Sequence, residues 1–125
     1  MTLILHTETT IDSCHKLEEY DGKCAFLHGH TWKIELWFSG EETQLDKVGI
    51  LVDFGIVKEL KEVLDHKYLN DIIGMNPTAE LLTLWIYKWL NKKIHSNQSR
   101  ENIQIKVRVY ETAVDKLAWC EYGFY

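Results

Sequence analysis

Proline is nearly missing from this sequence, with one residue, Pro77, in 125. Together with 46% apolar residues and five tryptophans, that scarcity excludes a disordered or collagen-like chain. Cysteine is also sparse and odd in number: Cys14, Cys24 and Cys120. A chain of this size folds without staples, so the three read as reduced thiols of a cytoplasmic protein rather than a disulfide framework. No apolar run reaches the roughly 18 residues that a membrane span needs. The opening MTLILHTETT lacks the basic start and apolar block of a secretory signal. Basic charge is in deficit, fourteen Lys and Arg against nineteen Asp and Glu, for a net −5. That balance argues against nucleic-acid or anionic-membrane partners, which select basic surfaces. Repeats, linkers and low-complexity stretches are absent, and the length suits one core, hence a single domain over 1–125.

What is present falls into alternating patterns. Leu3 to Ile11 is rich in Thr and Ile and predicts a strand; Lys16 to Lys23, with Asp21-Gly22, predicts a loop. From His30 the residues Trp32, Ile34, Leu36 and Phe38 alternate with polar neighbours, predicting a strand that stops at Ser39-Gly40. From Asp53 to Leu64 the period changes: Phe54, Val57, Leu60 and Leu64 mark an amphipathic helix. Asn76-Pro77 reads as an N-cap and first helical residue, opening a second helix with Leu82, Trp85, Ile86 and Leu90. Ser96 to Asn102 is a polar loop. Ile103, Ile105, Val107 and Val109 alternate as a third strand, and Trp119 to Tyr122 as a short fourth. The order ββααββ predicts an α+β fold: an antiparallel four-stranded sheet with two helices on one face. So small a sheet leaves edges to be covered, and self-association is one way to cover them.

The chemistry concentrates in Cys24-Ala25-Phe26-Leu27-His28-Gly29-His30. Histidines at i and i+2 of a strand project to the same side, where two imidazoles suit a divalent metal such as zinc. By itself a His-x-His pair reads first as two rings bonded to backbone carbonyls. His15, near the end of the first strand, is the candidate third ligand; three imidazoles leave a coordination position open, as in catalytic zinc sites. Cys24 is either a buried apolar filler or a thiolate base. Asp65-His66 follows the first helix, as a carboxylate–imidazole pair or as a cation matched to the helix dipole. Glu111 shares the parity of Val107 and Val109, so it faces the apolar side and needs donors there, such as the N–H edge of a heterocycle, or solvent at the strand end. Lys16, Lys23 and Lys33 are candidates for a polyphosphate, or solvated surface lysines.

Taken together, these residues resemble the 6-pyruvoyltetrahydropterin synthase and 6-carboxytetrahydropterin synthase family, of the tunnelling fold. The resemblance rests on Ser13-Cys14-His15-Lys16-Leu17, Cys24 through Thr31, Gly49 through Phe54, Leu64 through Asn70, Asn76 through Glu80 and Val109 through Thr112. It implies a zinc ion on His15, His28 and His30, with Cys24 as general base and Asp65 and His66 as a relay. Glu111 would grip a pterin ring, with Thr78 and Glu80 nearby. The implied substrate is 7,8-dihydroneopterin triphosphate. The implied product is 6-carboxy-5,6,7,8-tetrahydropterin in the queuosine branch, or a pyruvoyl pterin in the other; a dihydroneopterin side-chain aldolase is a third option. A zinc- or pterin-binding module without turnover is the reading from another class. The implied assembly is a homo-hexamer, two trimers stacked into a barrel, with active sites between subunits. Ile11 and Ser13-Cys14 depart from the Phe and Ala the family usually carries before its first histidine, and Cys14 adds a thiol beside His15.

Overall fold

The computed structural model describes residues 1–74, 76–95 and 102–124. The elements run β1 (Thr2–His15), β2 (His28–Glu41), α1 (Gly55–Leu64), α2 (Leu69–Ile73), α3 (Ala79–Ile94), β3 (Gln104–Tyr110) and β4 (Trp119–Gly123). The strands form one sheet in the order β1-β2-β3-β4, each pair antiparallel. The expected α+β architecture is therefore present, with one short helix more than the periodicity shows. Five residues are too few to display a 3.6-residue period, which is why α2 escaped the reading.

Alternation along the strands sends Ile11, Trp32, Ile34, Leu36, Phe38, Ile105, Val107 and Val109 to one face. There they meet Leu60 and Leu64 of α1 and Leu82, Ile86 and Leu90 of α3, all fully buried. Each such side chain contributes about 1.5–3 kcal/mol of transfer free energy. Gly123 is required where β4 closes on β3: at φ 116° a side chain there would sit 1.9 Å from the Ile105 carbonyl oxygen.

The opposite face is polar. Glu35 is buried there between Lys33 Nζ at 3.1 Å and Arg108 Nη1 at 4.0 Å, and Lys33 Nζ also lies 3.3 Å from Glu8. Lys33 is thus held in an ion-pair network on this face rather than solvated. Lys106 stands over the Trp37 ring, 4.3 Å from its centroid.

Three boundaries differ from expectation. β1 runs on to His15 and β2 starts at His28, so the histidines belong to the ladder itself, with His15 paired to His28 and Ser13 to His30. The cap of α3 is Thr78, whose hydroxyl accepts from the Leu81 N–H at 3.1 Å, two residues later than the expected Asn76. Asn76 instead adopts a left-handed conformation (φ 59°) and uses its side-chain amide to bind Glu18 N and O at 2.5 and 3.0 Å. The Asp53 carboxylate accepts from Gly55 N at 2.8 Å, so α1 begins two residues inside the predicted segment. Of the polar loop after α3, residues 96–101 lie outside the described residues.

Candidate metal centre and active site

His15, His28 and His30 converge at one end of the β1–β2 ladder, on the face that elsewhere packs the helices. The ligand-capable nitrogens of the three lie within 4.8 Å of one another. Trp32 forms the floor, its ring edge-on to His15 at 4.9 Å and to His30 at 5.3 Å between centroids. Its indole N–H donates to the Ser13 carbonyl at 3.2 Å, tying the floor to β1.

Two rings are locked by carbonyls. His15 Nδ1 lies 2.8 Å from the Pro77 oxygen, and His28 Nδ1 lies 2.8 Å from the Phe26 oxygen. A carbonyl only accepts, so each Nδ1 carries the proton and each Nε2 presents a lone pair. Those two Nε2 atoms face each other at 3.1 Å. His30 Nε2 is buried without a hydrogen-bond partner, and the Glu111 carboxylate stands 3.5 Å from it. Lone pairs turned on one another, with an acceptor carboxylate beside them, repel unless a cation or proton lies between. Burial lowers the pKa of His15 first of all. The nearby His28 adds to this, and the Pro77 bond and Glu111 act against it. His30 is lowered chiefly by burial too, with Glu111 opposing and His15 and His28 reinforcing. In His15 and His30 burial thus favours the neutral ring, which is the form that binds a metal. Three converging imidazoles, two of them with Nδ1 oriented by a backbone carbonyl, fit zinc in donor type.

Gly29, between the two β2 histidines, does not shape the space between their rings. A side chain built there would meet only the Ser13 oxygen at 3.8 Å and Cys14 Cβ at 3.9 Å, because alternation points position 29 to the other face.

Asp65 caps α1 in an extended conformation (ψ 140°), and His66 leaves the helix with φ 54°. His66 is therefore not the last-turn cation of α1. Its Nε2 lies 3.6 Å from Asp65 Oδ2, and its ring is exposed. His66, Thr31 and Cys14 line a shallow open cavity of about 640 Å³ that reaches β2 at Gly29 and His30. Cys14 points into it, its thiol 3.6 Å from the Lys67 carbonyl. Cys24 sits in a single turn of 3₁₀ helix, Lys23–Ala25, half-buried, with its carbonyl accepting from Leu17 N at 2.8 Å. Among the described residues, no hydrogen bond or ion pair joins Cys24 to Asp65 or His66. Thr78 spends its hydroxyl on the helix cap, next to the Pro77 carbonyl that orients His15; Glu80 is exposed in the first turn of α3. All three cysteines are free thiols.

Sequence reasoning missed the residues that hold this region together. Asn70 bonds Lys16 N and O at 3.1 and 2.9 Å, as Asn76 does Glu18, pinning the segment after β1 against the chain ahead of α3. Contacts across more than fifty positions leave no local signal.

A four-stranded antiparallel sheet backed by helices, with three imidazoles gathered at one end, defines an α+β protein with a candidate metal centre. The chain belongs to the 6-pyruvoyl tetrahydropterin synthase family, whose sequence model matches residues 4–123. It is 29% identical to the 6-carboxy-5,6,7,8-tetrahydropterin synthase of Synechocystis sp., over 91% of this chain and 98% of that protein. It is 37% identical to the dihydroneopterin monophosphate aldolase of Pyrococcus furiosus, over 68% and 72% of the two chains. The fold matches the Caenorhabditis elegans 6-pyruvoyl tetrahydropterin synthase with a TM-score of 0.72 at 20% identity, covering 100% of this chain and 97% of that one. The family is one of pterin-synthase and aldolase-type lyases, and this chain is a member of it. No helix among the described residues is long and apolar enough to cross a membrane.

Proposed function

We propose that this protein is a zinc-dependent lyase of the 6-carboxytetrahydropterin synthase type. It would convert 7,8-dihydroneopterin triphosphate to 6-carboxy-5,6,7,8-tetrahydropterin, releasing acetaldehyde and triphosphate, in the cytoplasmic queuosine branch of pterin chemistry. The observation that carries the reading is the confrontation of His15 and His28 through Nε2 at 3.1 Å, with His30 Nε2 unpartnered beside them. The Synechocystis relative supports the carboxy branch.

His15, His28 and His30 would hold the zinc. Bound zinc supplies a Lewis acid for the side-chain oxygens of the substrate and makes their protons easier to remove. Cys24 is the base that takes a proton from that side chain. His66, oriented by Asp65, carries a proton back. Glu111, with Thr78 and Glu80 close to the same end of the sheet, meets the N–H edge of the pterin ring. Because no hydrogen bond or ion pair joins Cys24 to His66 among the described residues, the reading brings them together across a subunit contact, in a homo-hexamer of two trimers.

Product identification by mass spectrometry tests the reading. Incubation with dihydroneopterin triphosphate is expected to give acetaldehyde and a carboxylated tetrahydropterin. A diketo side chain would shift the assignment to 6-pyruvoyltetrahydropterin synthase. A hydroxymethyl dihydropterin, with the triphosphate left on a glycolaldehyde fragment, would shift it to the aldolase reading that the Pyrococcus furiosus relative favours. Zinc binding with no product from any dihydroneopterin would leave a binding module.

A further inference from the structure

We propose that Asp12 is a positioning residue for the Asp65–His66 pair, its backbone holding the turn that carries them and its carboxylate standing as a second negative group beside the His66 ring. The inference rests on the assignment of His66 as a proton carrier. The C-terminal half of β1 is an edge, and at Asp12 both backbone groups point outward from the ladder. Asp12 N donates to Asp65 Oδ1 at 2.8 Å, and His66 N donates to the Asp12 carbonyl at 2.8 Å. One strand residue thereby grips both members of the pair and fixes the left-handed turn at His66.

The side chain adds a separate contribution. Thr31, the register partner of Asp12 on β2, donates its hydroxyl to Asp12 Oδ1 at 2.5 Å. Carboxylate oxygens of Asp12 and Asp65 and a ring nitrogen of His66 all lie within 4.8 Å of one another. Each carboxylate has its own donor, Thr31 for Asp12 and the Asp12 N–H for Asp65, so the two tolerate proximity while both face the imidazole. Lys67, Tyr68, Cys14 and His30 are the other groups lining the cavity around that ring. Two carboxylates rather than one thus stand beside the ring, which stays within reach of the cavity.

Asp12→Asn separates charge from shape, because the amide oxygen still accepts from Thr31. The test follows the ring signals of ¹³C-histidine-labelled, zinc-loaded protein through pH, with the His66 signal assigned by its loss in His66→Gln. The His66 midpoint is expected to move down by about half a unit or more in Asp12→Asn. In the same variant kcat for dihydroneopterin triphosphate is expected to fall about tenfold with KM within about twofold, at unchanged zinc content. Thr31→Val, which frees the carboxylate from its aim, is expected to move both in the same direction by less, and serves if Asp12→Asn does not fold. An unmoved midpoint overturns the inference, and so does a moved midpoint with unchanged kcat. A wild type that leaves the pterin untouched sinks the proposed function instead, and the ring titration still decides the role of Asp12.

Discussion

His15 and His28 face one another across the last rung of the β1–β2 ladder, Nε2 to Nε2 at 3.1 Å, each ring turned that way by a backbone carbonyl on its Nδ1. The arrangement stores repulsion between lone pairs that a bound cation converts into attraction. Metal affinity and fold stability are therefore linked.

Replacing one of these rings should release the metal. His28→Ala is expected to retain almost no zinc after dialysis, against about one ion per chain in the wild type. Chelation should lower the melting temperature of the wild type, because a ligand that binds only the folded state stabilises it by mass action. Elemental analysis with paired melting curves checks both. Full zinc in His28→Ala would remove this residue from the ligand set.

Acid should weaken the metal-free protein. The pKa values of His15 and His30 are lowered in the folded state, mainly by burial. Below the ordinary histidine value of about 6.5 the unfolded chain binds more protons, so stability is full above that range and falls as pH drops through it. Urea midpoints of chelated protein at pH 7.5 and pH 5.5, under constant ionic strength, should differ in that direction. A higher midpoint at the lower pH would contradict the burial argument.

Cys24→Ala is expected to lower kcat by about 10²- to 10⁴-fold while keeping zinc, as loss of a general base does. If the thiol meets His66 of another subunit, refolding Cys24→Ala and His66→Gln chains together at equal ratio should restore activity. Random assembly leaves about a quarter of the sites with both groups intact. No recovery in the mixture would place the two groups in one chain after all.

Trp32→Ala should cost about 3–5 kcal/mol, as removal of a fully buried aromatic does, and should loosen zinc binding as well, because the indole floors His15 and His30. Trp32→Phe keeps most of the packing but loses the bond to the Ser13 carbonyl. It is expected to fold with a smaller loss, measured by chemical denaturation.

Much of the fold was legible because its signals are local. The Trp32 to Phe38 alternation marks β2 by itself, and the Phe54 to Leu64 spacing marks α1. The histidine spacing puts His28 and His30 on one side of β2, since a period of two fixes which side chains share a face. Where competing local chemistry was close, the reading slipped by a residue or two. Asn76 looked like the α3 cap, yet its amide pins Glu18 and leaves the cap to Thr78. Lys33 read as a phosphate candidate or a solvated surface lysine, and the polar face instead pairs it with Glu8 and Glu35.

The amino-acid order alone determined which residues are apolar at what period, and therefore the strands, the longer helices and the imidazole pair at i and i+2. It also carried the family likeness through its spaced motifs. Only the tertiary structure decided that His15 is the ring opposite His28, that Pro77 and Phe26 set the direction of the lone pairs, and that Asp12 grips Asp65 and His66 from fifty-three and fifty-four positions away. Strand register and loop packing arise from the summed burial of the whole core, so no short stretch of sequence encodes them.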